Sequence, residues 1–86
     1  MPEISRFYGI IIRMYFIDHN PPHFHADYQG MQAEYDIRTL EVIAGSLPNR
    51  AQSLVLEWAQ LHRAELMENW EKAQIPVAMD KIEPLK

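Results

Sequence analysis

The sequence contains no cysteine, no long apolar run and no cluster of basic residues. Without cysteine there can be no disulfide framework, no thiolate nucleophile and no cysteine-type metal site within the chain. No segment approaches the roughly 20 apolar residues of a transmembrane helix, and the N-terminus lacks the features of a signal peptide. We therefore expect a cytoplasmic protein in which histidine and carboxylate groups carry any metal chemistry.

The charge balance restricts the partners of the protein. Eight basic and twelve acidic residues give a formal net charge of −4, and the basic residues are spread along the chain. Because extended DNA binding needs clustered phosphate contacts, this distribution disfavours it. A local contact with RNA is compatible with the composition, and membrane association is not expected.

Hydrophobic alternation predicts a β-rich first half. Residues that alternate between apolar and polar, or that are largely β-branched and aromatic, predict four strands, at Ile10–Ile17, His23–Tyr28, Met31–Ile37 and Glu41–Ala44. Short loops separate these strands, which indicates a mainly antiparallel β-meander over about residues 8–45.

Hydrophobic periodicity predicts a helical second half of the chain. Apolar residues recur at three- and four-residue spacing over about residues 48–74, and the stripe turns by roughly a quarter turn near His62. The helix is therefore expected to bend, to break there, or to cover a second surface. We predict one α+β domain over residues 1–86, in which one long or bent helix packs on one face of a four-stranded sheet and residues 75–86 form a tail or edge strand.

Three of the four histidines fall in the segment His19-Asn20-Pro21-Pro22-His23-Phe24-His25. The double proline forces a turn, and Gln29-Gly30 has the composition of a two-residue hairpin turn. With that turn, cross-strand pairing puts the imidazoles and two acids on the face opposite Phe24, with His23 beside Asp36 and His25 beside Glu34.

Three interpretations of this segment are open. The first is a divalent metal site, for zinc or nickel, with histidine and carboxylate ligands drawn from His19, His23, His25, Glu34 and Asp36. The second is RNA cleavage without a metal, in which one of His23 and His25 deprotonates the 2′-hydroxyl and the other protonates the leaving oxygen. Arg13 or Arg38 would stabilise the phosphorane charge. The third is structural, because histidines also hydrogen-bond to the backbone of a proline-rich loop.

The second half of the helical region suggests a surface for a partner. Leu66, Met67 and Trp70 lie off the first apolar stripe, where they would form an exposed patch that binds another protein. The alternative is that the apolar residues of the tail fold back and cover them.

Several segments together resemble the bacterial domain of unknown function 4160 family. These segments span nearly the whole chain, at Pro2–Ile10, Asp18–His25, Gly45–Pro48, Leu56–Ala59 and Glu68–Trp70. The resemblance implies a small bacterial protein without an established activity, encoded beside a small protein of the domain of unknown function 2442 type. That arrangement is similar to toxin-antitoxin modules.

From the residues and the resemblance together, the leading hypothesis is a small interaction module, one component of a toxin-antitoxin-like pair. Its partner would be the neighbouring small protein or a second copy of the chain. The alternative is a histidine-based enzyme or metal-binding protein that uses the imidazoles and acids of the hairpin.

Overall fold

The computed structural model describes residues 2–86, in which five strands precede two helices. The strands are β1 (Glu3–Phe7), β2 (Ile10–Arg13), β3 (His23–Tyr28), β4 (Met31–Asp36) and β5 (Val42–Gly45), and the helices are α1 (Asn49–Leu61) and α2 (Arg63–Gln74). The strands form one antiparallel sheet in the order β1-β2-β3-β4-β5. Within the described residues, no helix is long and apolar enough to cross a membrane.

The α+β class is confirmed, but the count of four strands is corrected to five. The additional strand is β1, which lies before the four predicted strands. Tyr8 and Gly9 both have positive φ, 50° and 79°. Two successive residues of this kind form the tight turn that joins antiparallel strands, so Phe7 pairs directly with Ile10.

The β3–β4 hairpin has the register expected from its turn. Gln29 and Gly30 have φ of 49° and 83°, as this two-residue turn requires. Every predicted pair is present, including Phe24 with Tyr35, His25 with Glu34 and His23 with Asp36. Because side chains alternate along a strand, the histidines lie on the face opposite Phe24.

The strand expected over Ile10–Ile17 ends at Arg13. Continued pairing with β3 would place the last two of these residues opposite Pro21 and Pro22, which lack the N–H that a sheet ladder needs. Ile17 instead adopts a positive φ of 51° and donates its N–H to the carbonyl of Ala73 in α2. The chain therefore leaves the sheet and crosses to the helix before it returns as β3.

The single long helix is corrected to two helices that meet at His62, which is one of the outcomes that the rotated stripe predicts. In α1 the buried Trp58 packs against Phe7 and Phe24, with ring centroids 5.3 and 6.0 Å apart. In α2 the buried apolar residues are Leu66, Trp70 and Ala73. The break lets each helix turn its own apolar face toward the interior.

The tail covers the β1 edge of the sheet without forming a regular strand. The N–H of Ile82 donates to the carbonyl of Ile4 at 2.8 Å, and the hydroxyl of Ser5 donates to the carbonyl of Ile82 at 3.0 Å. Trp58 Nε1 donates to the carbonyl of Glu83 at 2.7 Å. The tail thus ties β1 to the helical layer.

We expect Gly45→Ala to destabilise the fold far more than Gly30→Ala. Both glycines have positive φ, which costs an alanine roughly 1–2 kcal/mol. A β-carbon at Gly45 would also lie 2.2 Å from the backbone oxygen of Gln32, whereas one at Gly30 would meet nothing within 4 Å. Overpacking adds about 1–3 kcal/mol at Gly45 alone. Urea unfolding of the two variants measures the difference, and equal losses would contradict this account.

Candidate functional site

A histidine–carboxylate cluster lies where β3 begins. Asp18, His23 and His25 each offer one donor atom, and these three atoms all lie within 4.8 Å of one another. Asp18 Oδ2 is 3.0 Å from His23 Nε2 and 3.5 Å from His25 Nε2. Two imidazoles from one strand and one carboxylate from the preceding loop therefore converge on a single point.

His23 is held by contacts on two sides. Its Nδ1 lies 2.7 Å from the carbonyl oxygen of Pro21, and its ring packs against Trp70 with centroids 5.3 Å apart. The side chain is 2% exposed. Because a carbonyl oxygen can only accept, Nδ1 must carry the proton. In the neutral ring, Nε2 then presents its lone pair toward Asp18.

That arrangement brings two acceptors together. A lone pair on His23 Nε2 and a carboxylate oxygen of Asp18 repel each other at 3.0 Å unless a cation joins them. The cation is either a second proton on the imidazole or a metal ion. In metal sites, a histidine commonly donates one ring N–H to a carbonyl and binds the metal through the other nitrogen, which is the orientation of His23.

Asp18 is positioned by the loop that leaves β2. Its Oδ1 accepts the backbone N–H of His19 at 2.9 Å, which leaves Oδ2 for the two imidazoles. The preceding residue, Ile17, has the left-handed backbone conformation that β-branched residues avoid. Its hydrogen bond to Ala73 holds it there. Strain of this kind persists only where surrounding contacts maintain it, so α2 contributes to the placement of Asp18.

The pKa shifts of Asp18 and His25 favour the protonation states that bind metals. Burial lowers the pKa of His25, and the nearby carboxylates of Asp18 and Glu34 only partly oppose this effect. Burial acts to raise the pKa of Asp18, but the His19 N–H and the neighbouring imidazoles outweigh it, so this pKa is lowered. At neutral pH, His25 is therefore a neutral imidazole and Asp18 a carboxylate.

The two expected acidic ligands lie in different surroundings. Glu34 Oε1 is 3.6 Å from His23 Nε2, so it borders the cluster. The carboxylate of Asp36 instead accepts the backbone N–H groups of Arg38 and Thr39 at 2.8 and 3.3 Å. Although its backbone pairs with that of His23, its carboxylate is used to close the turn after β4.

His19 also lies apart from the convergent donors. Its ring centroid is 5.7 Å from that of His23, and its side chain is 85% exposed. Its Nδ1 is 3.1 Å from Asp18 Oδ1, on the oxygen that faces away from the other two imidazoles. His19 therefore contributes to the site through its backbone N–H, which donates to Asp18. Its ring lies outside the convergent donors.

Arg13, expected to stabilise charge in a metal-free reaction, forms an ion pair with Asp27 on the same sheet face. Its guanidinium is already neutralised by this neighbour. The ring of His25 packs edge-on against Tyr15, with centroids 4.4 Å apart. The Nε2 atoms of His23 and His25 both face Asp18. This arrangement gives the hypothesis of metal-free RNA cleavage little support.

The residues assigned to a partner surface lie mainly in the interior. Leu66 is fully buried and Trp70 is 5% exposed, both within the main hydrophobic core, while Met67 is half-buried against it. The tail reaches the same helix, since Asn69 exchanges two hydrogen bonds with the backbone of Asp80, each at 2.9 Å. The expectation that the tail helps to cover this half of the helical region fits these contacts.

Asp18 is the site residue that sequence reasoning missed. It directly follows the strand predicted over Ile10–Ile17, and the predicted strand pairing gives it no place beside the histidines. The signal lay in its position directly before His19 in a segment that already carried three imidazoles. A carboxylate next to such a segment is worth testing as a ligand even when no strand pairing predicts it.

Fold and site together define an α+β protein with a histidine–carboxylate site beside an antiparallel sheet. The family model described as Domain of unknown function (DUF4160) matches residues 9–71 of the 86-residue chain. The chain therefore belongs to this family, which confirms the resemblance noted from its motifs. No curated protein and no solved structure matches the chain.

We expect His23→Ala to destabilise the fold, whereas His19→Ala leaves its stability almost unchanged. His23 loses its packing on Trp70 and its hydrogen bond to Pro21. Truncation of a buried side chain with a buried hydrogen bond costs about 2–4 kcal/mol. Exposed His19 should cost less than about 0.5 kcal/mol. Metal-free urea unfolding tests this difference, and similar values for both variants would contradict the assigned burial.

Proposed function

We propose that this protein binds one divalent transition-metal ion through Asp18, His23 and His25. The observation that carries the proposal is the orientation of His23. Its Nδ1 is committed to the Pro21 carbonyl, while its Nε2 faces Asp18 Oδ2 at 3.0 Å. A cation between these two atoms converts a repulsion into two favourable contacts.

The spacing of the donors fits such an ion. Zinc binds imidazole nitrogen and carboxylate oxygen at about 2.0–2.2 Å in tetrahedral geometry, which places neighbouring donors roughly 3.3–3.5 Å apart. The contacts of Asp18 Oδ2 with His23 and His25, at 3.0 and 3.5 Å, lie close to that range. The two imidazole nitrogens lie within 4.8 Å of each other, so the three donors can surround one ion.

The donor types favour first-row transition metals, zinc and nickel among them, over magnesium and calcium. Imidazole nitrogen suits zinc, nickel, copper and iron, whereas magnesium and calcium prefer sites made of oxygen. Without cysteine the chain lacks the thiolate that favours Cu(I) and iron–sulfur clusters. Two nitrogens and one oxygen are thus suited to Zn²⁺ or Ni²⁺.

The interaction-module hypothesis, including a toxin-antitoxin-like pair, stays a prediction from the residues and the resemblance. The residues chosen for its contact surface lie largely inside the core, with Leu66 and Trp70 buried. The metal site has the stronger support, because three donor groups already converge and their neighbours hold them in place.

Calorimetric titration with Zn²⁺ and Ni²⁺ tests the proposal. Protein stripped with a chelator should bind one ion per chain. Asp18→Asn and His25→Ala should each weaken binding by at least about tenfold. Loss of a residue that only orients a metal ligand already lowers the affinity by about tenfold to a hundredfold. His19→Ala serves as the matched control, because its ring lies outside the convergent set and its affinity should stay within about threefold of wild type.

Two results would contradict the proposal. One is the absence of saturable binding heat at micromolar protein. The other is an affinity that falls with His19→Ala but not with Asp18→Asn or His25→Ala, because that pattern would place the ion on exposed imidazole instead of the convergent donors.

The affinity should also depend on pH in a defined direction. The pKa values of Asp18 and His25 are both lowered, so neither group must release a proton to the solvent when metal binds near pH 7. As pH falls below about 6.5, the ordinary histidine value, protons begin to compete for His25. Zinc titrations across about pH 5–8 should therefore show an affinity that proton competition at His25 leaves unchanged at the upper end and weakens at the lower end. Tighter binding at low pH would be inconsistent with histidine ligation.

A further inference from the structure

A small cavity lies beside the cluster on the open face of the sheet. Its volume is about 130 Å³. The lining residues come from three neighbouring strands, and they are His25, Gln32, Ala33, Glu34, Ala44 and Gly45. Because a water molecule occupies about 30 Å³ of liquid, the cavity has room for a few water molecules or a small acyl group.

Glu34 stands between this cavity and the cluster. Its Oε1 is 3.6 Å from His23 Nε2, yet the mutually close set of donors consists of Asp18, His23 and His25. Its side chain is 34% exposed, twice the value of 17% for Asp18 and for His25. Glu34 is therefore placed at the border of the site, where it can contact a molecule that binds next to the ion.

We infer that the metal site is catalytic, and that it hydrolyses a small uncharged ester with Glu34 as the general base. This inference rests on the proposed metal site. Three protein ligands leave a fourth position in a tetrahedral site, and catalytic zinc sites use that position for water or substrate. Here the cavity that His25 and Glu34 line offers space for a water molecule or substrate beside such an ion.

The reaction balances without a further reagent. Held by Asp18, His23 and His25, the ion would lower the pKa of a water molecule in the open position and would stabilise the negative charge that develops on the ester carbonyl oxygen. Glu34 accepts one proton from this water, and the water oxygen forms a bond to the carbonyl carbon. The bond between that carbon and the alkoxy oxygen then breaks. Glu34 returns the proton to the departing alkoxide, so the products are one carboxylic acid and one alcohol.

Charge and size select the substrate class. A divalent cation with Asp18 and Glu34 gives a site with little net charge, so it offers no excess positive charge for a phosphate or another polyanion. The nearest guanidinium on this face, that of Arg13, is paired with Asp27. The cavity has room next to the ion for a small acyl group such as acetyl.

Hydrolysis of p-nitrophenyl acetate by the zinc-loaded protein tests the inference. We expect a zinc-dependent rate above that of the stripped protein. Glu34→Gln should lower this rate by about 10²–10⁴-fold, the contribution of a general base, while zinc affinity changes by less than about threefold. Glu71→Gln on the exposed surface of α2 is the matched control and should retain the wild-type rate.

A second measurement does not depend on turnover. With Co²⁺ in place of zinc, azide should change the visible spectrum, because an anion can enter the coordination position that faces the cavity. Ala44→Leu fills the cavity from the exposed strand β5, so it should weaken azide binding by at least about tenfold without changing cobalt affinity.

The outcomes separate this inference from the metal site itself. Failure to bind both Zn²⁺ and Ni²⁺ defeats the metal site and the catalytic inference together. Zinc binding without zinc-dependent hydrolysis, or a cobalt spectrum that azide does not change, overturns only the catalytic inference. Loss of zinc binding in Glu34→Gln overturns it too, because it would make Glu34 a fourth ligand and close the position that substrate needs.

Discussion

The register of the β3–β4 hairpin is the constraint on which the site depends. Gln29 and Gly30 both take positive φ, so the turn contains two residues and the pairing of every residue beyond it is fixed. A shift of one residue would exchange the two faces. Phe24 would then lose its place beside Trp58, and the imidazoles would enter the apolar interior. The folding of the core and the placement of the two histidines are therefore determined by one short turn.

The remaining geometry comes from contacts between elements that are distant in sequence. Helix α2 supplies Trp70, which packs on His23, and the carbonyl of Ala73, which holds Ile17 in its unfavourable conformation. The tail ties this helix to β1 through Asn69 and Ile82. The helical layer thus covers the core and also fixes the loop that carries Asp18. An ion bound at the cluster would link that loop to β3 and so stabilise the same arrangement.

The sequence predicts those features that local chemistry decides. The hairpin register, the position of Phe24 and the change of direction near His62 each follow from turn composition or periodicity, and the structure has all three. β1 was missed because a Tyr–Gly turn is a weaker signal than Gln29-Gly30 when the preceding strand is short. The inward position of Asp18 could not be found in this way, because the contact that holds the preceding residue comes from Ala73 in α2, more than fifty residues further along the chain.

The state of the imidazole nitrogens gives the most direct test of the metal site. Long-range proton–nitrogen NMR of ¹⁵N-labelled protein distinguishes protonated, lone-pair and metal-bound ring nitrogens. The account predicts that His23 keeps its proton on Nδ1 at all times, and that zinc shifts the Nε2 signals of His23 and His25 while the ring signals of His19 stay in place. Zinc-induced shifts at His19 alone, or a zinc-bound Nδ1 of His23, would contradict it.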